Sequence, residues 1–190
     1  MGTCTWVGSE EIYQRYHDEE WGVPEYDARA LWEKLILDGF QAGLSWITIL
    51  KKRENFREAF QGFDPEGIAG WGEADVTRLL QNPGIIRHRG KIEATIGNAR
   101  AYLDMPEDFS TFMWRYVDGK PLNGRYKTHA DVPTSSPLSE QISKDLKHQG
   151  FKFCGPTIVY AWMEACGLFN NHTTNCFRHT EVARLAGKSA

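Results

Sequence analysis

Two stretches near the carboxyl end share one grammar. "SPLSEQISKDLKHQG" opens on Ser136 and Pro137 and closes on Gly150, while "GPTIVYAWMEACG" opens with Pro156 and closes on Gly167. A capping hydroxyl, a proline whose fixed φ suits the first helical position and a glycine that tolerates a left-handed end together say where a helix starts and stops. The same signals recur along the chain and strand signals are scarce, so the sequence predicts an all-α protein. Ser9 is expected to cap a helix through Trp21, with Glu10 and Glu11 in its first turn. Asp27 is expected to cap a second helix, on which Leu31, Leu35, Asp38 and Ala42 share one face by helical spacing. "SWITILKKRENFREAF" reads as a third helix, "DPEGIAG" as a short capped turn, and Glu73 to Gln81 as a further helix.

After the turn signal "NPGIIRHRG", Ile92, Ile96, Ala99 and Leu103 repeat at helical spacing, so a helix, a tight hairpin and a helix are predicted. Asp108 or Ser110 opens another helix, residues 118 to 136 read as a surface loop, and the residues after "LFNNHTTNC" read as a frayed polar tail. With 190 residues, 41% hydrophobic and 25% charged, the chain is expected to fold as a single unit. Within it the hairpin lobe spans about 40–115, and the terminal segments, about 1–38 and 137–180, make a second lobe. The amino terminus carries no basic patch followed by a long apolar run, and no stretch has the length of a membrane span. A cytoplasmic protein without membrane association, working as a monomer, is expected.

His172 and Cys176 stand four apart, a spacing that suits two ligands of one metal ion, and Cys4 and His17 could complete a closed Cys2His2 zinc site joining the two ends of the chain. A buried Cys176 with a surface His172 fits the spacing as well. Cys154 and Cys166 read as small core residues, and His88, His129, His148 and His179 stand in polar surroundings that leave most of them solvated.

The net charge of −3 offers no global attraction to a polyanion, but residues 85 to 100 carry Arg87, Arg89, Lys91 and Arg100 against Glu93 alone. Cations at a helix start oppose the dipole, so an external anion is expected there. Gly84 and Gly90 around the turn favour a DNA backbone over the alternative of a solvated basic face. The first 46 residues hold Trp6, Tyr13, Tyr16, Trp21, Trp32 and Trp46. Such aromatics usually pack a core. Asp38 among them changes the reading, because a buried carboxylate needs a donor or a cation. A flat cationic or amino-bearing heterocycle, stacked on Trp46 and Tyr16 and bonded at its edge by Asp38, would supply one. The alternative is an acid that caps or ion-pairs near the helix end.

Four motifs, "YHDEEWGVP", "QAGLSWITILKKRENFREAF", "GIIRHRGKIEATIGNARAY" and "GFKFCGPTIVYAWMEACGL", stand in an order that resembles the DNA-3-methyladenine glycosylase I family, over about Cys4 to Cys176. The resemblance implies a helix-hairpin-helix glycosylase that flips N3-methylated adenine from double-stranded DNA and hydrolyses its N-glycosidic bond. It implies a structural zinc ion on Cys4, His17, His172 and Cys176, and base-binding aromatics at Tyr16, Trp21 and Trp46 with Tyr13 and Trp6 nearby. Asp38 stands where the family commonly has Glu, and Phe40 where a polar residue can occur. Ile86 replaces the usual second hairpin glycine. His88 occupies the position of the lysine nucleophile of lyase-type relatives, and the catalytic Asp of the wider superfamily has no counterpart between Ile85 and Leu103, which agrees with a water-only reaction. Gly43 and Leu44 are expected to fill the gap left in the base stack, the alternative being that they make a helix–helix turn only. The rival expectations are a catalytically silent zinc-stapled DNA-binding protein of the same fold and a binder of free methylated purine.

Overall fold

Asp27 accepts a hydrogen bond from the Ala30 amide at 2.8 Å and so starts the central helix. In the computed structural model, which describes residues 2–186, the chain is mostly helical. A one-turn 3-10 helix at Thr5–Val7 precedes α1 (Glu11–Glu19), α2 (Ala28–Gln41), α3 (Trp46–Leu50), α4 (Arg53–Ala59), α5 (Pro65–Ala69), α6 (Glu73–Leu80), α7 (Arg89–Leu103) and α8 (Phe109–Trp114). Then follow β1 (Leu122–Asn123), α9 (Pro137–His148), α10 (Pro156–Ala165), β2 (Phe169–Asn170) and α11 (Phe177–Ala186).

α2 is buried over most of its length, with Leu31, Trp32, Leu35, Ile36 and Phe40 in the main core. α10 packs on it, and the Trp162 indole N–H donates to the Leu31 carbonyl at 2.9 Å. α7 packs on α5 and α6, and α9 on α10. A second, smaller apolar cluster gathers Cys4, Val7, Tyr16, Trp21, Leu50, Ala165 and Cys176 from the two ends and the middle of the chain. The ends are also joined by backbone: Gly2 N–H donates to Asn175 at 2.9 Å, and Phe177 N–H to Gly2 at 3.1 Å.

Several local expectations need correction. The first helix has Glu10 rather than Ser9 at its N-cap position, with no side-chain capping bond, and ends at Glu19. The single helix expected from Trp46 to Phe60 breaks at Lys52 (φ −104°, ψ 0°), beyond which Arg53 makes a two-pronged ion pair with Glu20 at 2.5 and 2.8 Å. That partner is 33 residues away, so local periodicity cannot encode the break. The loop at 118–136 contributes β1, which pairs in parallel with β2, so the fold is helical with one two-residue ladder. The tail is a helix, α11, as far as Ala186; residues 187–190 lie outside those described. Among the described residues no helix is long and apolar enough to cross a membrane.

Candidate functional site

Six of the residues singled out by sequence line one cleft of about 180 Å³: Trp6, Tyr13, Tyr16, Trp21, Asp38 and Trp46. α1 contributes Tyr13 and Tyr16, a turn apart on one face. α2 contributes Asp38 from near its end, and α3 contributes Trp46 from its first position. The rings lean on one another, with Trp6 4.9 Å from Tyr13 and 5.0 Å from Trp21, and Tyr16 5.5 Å from Trp46, centroid to centroid. These spacings are favourable for tilted aromatic contacts.

Asp38 is 3% exposed, and its Oδ2 is fully buried with no hydrogen-bond partner among the described residues. Burial drives its pKa well above the ordinary carboxylate range; Lys34 opposes that rise and Glu164 adds to it. The indole N–H groups of Trp6 and Trp46 are likewise buried without partners. Three unpaired polar atoms on residues of one cleft are rare in a folded interior, where such groups are almost always bonded. They define an aromatic slot with both donors and an acceptor left over, which suits a planar polar ligand.

A neighbouring cavity of about 260 Å³ shares Tyr16, Asp38, Trp46 and Ala165 as its wall. Both of its arginines are already paired, Arg53 with Glu20 at 2.5 Å and Arg57 with Glu33 at 2.7 Å, which leaves Lys34 as its one cation without an ion-pair partner among the described residues, and the indole of Trp6 is not in its wall. The aromatic cleft is therefore the candidate site. Glu164, Gln41 and His129 also line it; sequence reading passed over the first two and took His129 for a solvated side chain. Glu164 had a signal, since it is the one acid in the apolar run of α10, as Asp38 is in α2 from Leu35 to Gln41. His129 is exposed at 6.5 Å from Trp6, as expected of a solvated histidine, and the partial desolvation it meets there lowers its pKa. Phe40 does not reach the cleft. Two residues on from Asp38 it is rotated about 200° around the helix axis, where it packs on Phe56 at 4.8 Å and Phe60 at 5.7 Å.

Behind the cleft the ligand atoms of Cys4, His17, His172 and Cys176 lie within 4.8 Å of one another, all four residues buried. His17 Nδ1–H donates to Asp18 at 2.7 Å and His172 Nε2–H to the Trp21 carbonyl at 2.9 Å. Those bonds fix both tautomers and turn the bare nitrogens inward. The bare nitrogens face each other at 3.2 Å, an arrangement of two lone pairs that calls for a cation between them. Cys176 Sγ is 3.5 Å from His17 Nε2 and 3.7 Å from His172 Nδ1, and Cys4 Sγ is 3.7 Å from His172 Nδ1. Tetrahedral zinc bonds of about 2.05 Å to nitrogen and about 2.3 Å to sulfur give edges of about 3.3 Å and about 3.6 Å. The donor set and spacing fit a closed zinc site. Burial holds the His172 pKa down at about 3, leaving a neutral ligand, and pushes the Cys4 thiol up to about 11, so a bound cation would have to draw its proton off. The cluster also supports the cleft: Trp21 stands 4.6 Å from His172, and Trp6 5.4 Å from His17.

The α2–α3 turn holds Gly43 at φ +83°, a conformation side chains rarely adopt, and the 41% exposed Leu44 beside it. Both lie between Gln41 and Trp46 of the cleft. Gly84, in the α6–α7 connection, is needed for a different reason, close approach: a Cβ there would come within 2.9 Å of Asn82 and 3.1 Å of Asn55. The cations of that connection are mostly engaged. Arg89 is held by Glu73 at 2.9 Å and Glu93 at 3.2 Å. Lys91 is buried, and its ammonium donates to the carbonyls of Phe40 and Ala42, each at 2.7 Å. The expectation of Lys91 as a DNA contact is therefore corrected: it closes the carbonyl end of α2 and latches the connection to the Gly43–Leu44 turn. His88 is exposed, as expected, and its Nδ1 also accepts from the Lys91 amide at 3.2 Å and so caps α7. His179 donates to the Gly124 carbonyl at 2.9 Å. Arg87 is exposed and has no ion-pair partner among the described residues.

With this geometry in place, comparison with known proteins is informative. Residues 6–179 match the sequence model of the methyladenine glycosylase family. The chain is 53% identical over 179 residues to DNA-3-methyladenine glycosylase 1 of Escherichia coli K12, covering 93% of this chain and 96% of that one. It is 49% identical to the DNA-3-methyladenine glycosylase of Haemophilus influenzae, covering 91% and 95%. Among solved structures, the Staphylococcus aureus 3-methyladenine DNA glycosylase I, studied for its recognition of 3-methyladenine, superposes with a TM-score of 0.90 at 43% identity, over 93% of this chain and 96% of that one.

Proposed function

The chain belongs to the methyladenine glycosylase family, and from that membership we propose how its own residues carry out the reaction. It is a DNA-3-methyladenine glycosylase, a hydrolase of N-glycosyl bonds, and its substrate is DNA carrying alkylated bases. On our reading the lesion is N3-methylated adenine, flipped from double-stranded DNA into the aromatic cleft by a single copy of the chain. Flipping costs a few kcal/mol, least for a damaged base. Leu44, on the turn that only Gly43 allows, enters the gap left behind. The α6–α7 connection lies along the backbone as a helix-hairpin-helix, with Arg87 as its free cation.

The observation that carries this reading is the buried, partnerless Oδ2 of Asp38 at the wall of an aromatic slot. A purine methylated at N3 is a cation. Stacked on Tyr16 and Trp46 it would supply an N–H together with the charge that Asp38 lacks, whereas ordinary neutral adenine would supply the N–H without the charge. The positive base is already a good leaving group. Water bonds to C1′, the electron pair of the glycosidic bond moves onto the base and cancels its charge, and the proton of the water passes to solvent. No amine nucleophile is required, and His88, tied up as the α7 cap, is not one. Asp38 holds and orients the departing base; it removes no proton.

A zinc ion on Cys4, His17, His172 and Cys176 is the cofactor we assign, supported by their inward-turned donors. When bound it supplies a cross-link between the chain ends with no open coordination position, and so no reacting group.

The test is base release from methylated duplex DNA, resolving 3-methyladenine, 3-methylguanine and 7-methylguanine, by wild type, Asp38→Asn and Asp38→Glu. Release of 3-methyladenine by wild type that collapses in the Asn variant and persists in the Glu variant is expected. DNA binding without release by wild type would leave a silent binding protein of the same fold.

A further inference from the structure

The cleft contains a second acid. Glu164 lies near the end of α10, is 9% exposed, and lines the same aromatic slot as Asp38. One of its oxygens is anchored by the Asn171 side-chain amide at 2.9 Å, which also donates to Tyr160 at 3.0 Å. The other oxygen has no hydrogen-bond partner, and neither Glu164 nor Asp38 has an ion-pair partner, among the described residues. Two carboxyl groups in one apolar-walled cavity repel each other when both ionise. Such a pair is expensive for stability alone and is offset only in part, by Lys34 acting on Asp38 and by the Asn171 bond to Glu164.

Resting on the glycosylase reading above, we propose that Glu164 is a second recognition residue that touches the flipped base, so that two acids rather than one select an alkylated purine cation over a neutral purine. Desolvation, against the opposing Asn171 bond, pushes its pKa up to about 7, while Glu164 in turn raises Asp38. Each acid can present an acceptor oxygen to the base, and adenine offers an amino donor at the edge where guanine offers a second acceptor.

Glu164→Gln is the discriminating variant because its carbonyl can keep the Asn171 bond while the charge is lost. Relative to wild type, single-turnover release of 3-methyladenine should fall about tenfold, the size of one lost charge-assisted hydrogen bond. Binding of free 3-methyladenine, read by tryptophan fluorescence, should weaken similarly, with undamaged-duplex affinity and metal content unchanged. Unchanged release and unchanged base binding would overturn the proposal, as would a loss of stability or metal with base binding per folded molecule intact. In wild type, which needs no variant to fold, free 3-methyladenine should alter the carboxyl infrared bands of 13C-glutamate-labelled protein; no change there would also overturn it. If wild type releases no 3-methyladenine at all, the glycosylase reading fails instead.

Discussion

The two halves of this protein treat polar groups in opposite ways. On the side made by the chain ends, the cleft leaves Asp38 Oδ2 and the indoles of Trp6 and Trp46 without partners, and two imidazole nitrogens face each other at 3.2 Å. On the α6–α7 side almost every such group is already satisfied: Arg89 by two glutamates, Lys91 by two carbonyls and the α7 amino end by His88. Unpaired buried groups cost stability until something binds, whereas paired ones contribute it from the start. The difference separates residues that await a metal or a ligand from residues that hold the frame.

The largest effect is expected where the awaiting groups are most concentrated. Cys176→Ser should lose stoichiometric zinc and about 3 kcal/mol or more of stability, because the cross-link between chain ends and the support behind Trp6 and Trp21 go together. Elemental analysis with thermal melts, with and without a chelator, checks it. A variant that keeps the metal and the melting temperature would remove the cluster from the awaiting class.

Next is Asp38. Leaving a bound base cation without its counter-charge costs roughly 3 kcal/mol, so Asp38→Asn should lower kcat/KM for 3-methyladenine release about a hundredfold. Stability should move the other way. The folded-state pKa of Asp38 lies above its unfolded value, so its contribution is fully present below the ordinary carboxylate range and is lost as pH rises toward the folded value. Asp38→Asn should therefore gain stability relative to wild type as pH rises across that window, in denaturant melts at stepped pH. A variant that gains nothing would mean that Asp38 already has a partner in the folded protein.

Lys91 tests the other half. Lys91→Met keeps much of the stem's packing and deletes both bonds to the α2 carbonyls, so it should cost about 2 kcal/mol in denaturant unfolding. The salt slope of DNA binding should be unchanged, since the buried ammonium neutralises no phosphate.

These contrasts also show what local pattern can carry. The spacing of Leu31, Leu35, Asp38 and Ala42 put an acid on the inner face of α2, and the caps at Asp27, Asp64 and Ser136 stand where the side-chain chemistry asks for them. Phe40 was legible too, had its angle from Asp38 been counted. By contrast Lys91 reaches carbonyls some fifty residues earlier, and Arg89 meets Glu73 only because the α6–α7 turn folds back. A run of cations looks the same in sequence whether its partners are phosphates or its own chain. α11 was missed because, among its residues of described burial, the polar surface hides one fully buried anchor, Val182.

The smallest effect isolates the one cation of that run left over. Arg87 is exposed and unpaired among the described residues, whereas Arg89 must give up Glu73 and Glu93 before it can meet a phosphate. Arg87→Ala should thus weaken duplex binding a few-fold and reduce the salt slope by about 1, uniformly across sequences, with stability unchanged. Arg89→Ala should do less to the slope and more to stability, since it removes the tie between α6 and α7. Duplex affinities measured at stepped salt, beside unfolding curves for both variants, decide the matter. If Arg89→Ala changes the slope as much as Arg87→Ala, its glutamate pairs are exchanged for phosphates on binding, and the α6–α7 connection belongs with the cleft among the regions that await a ligand.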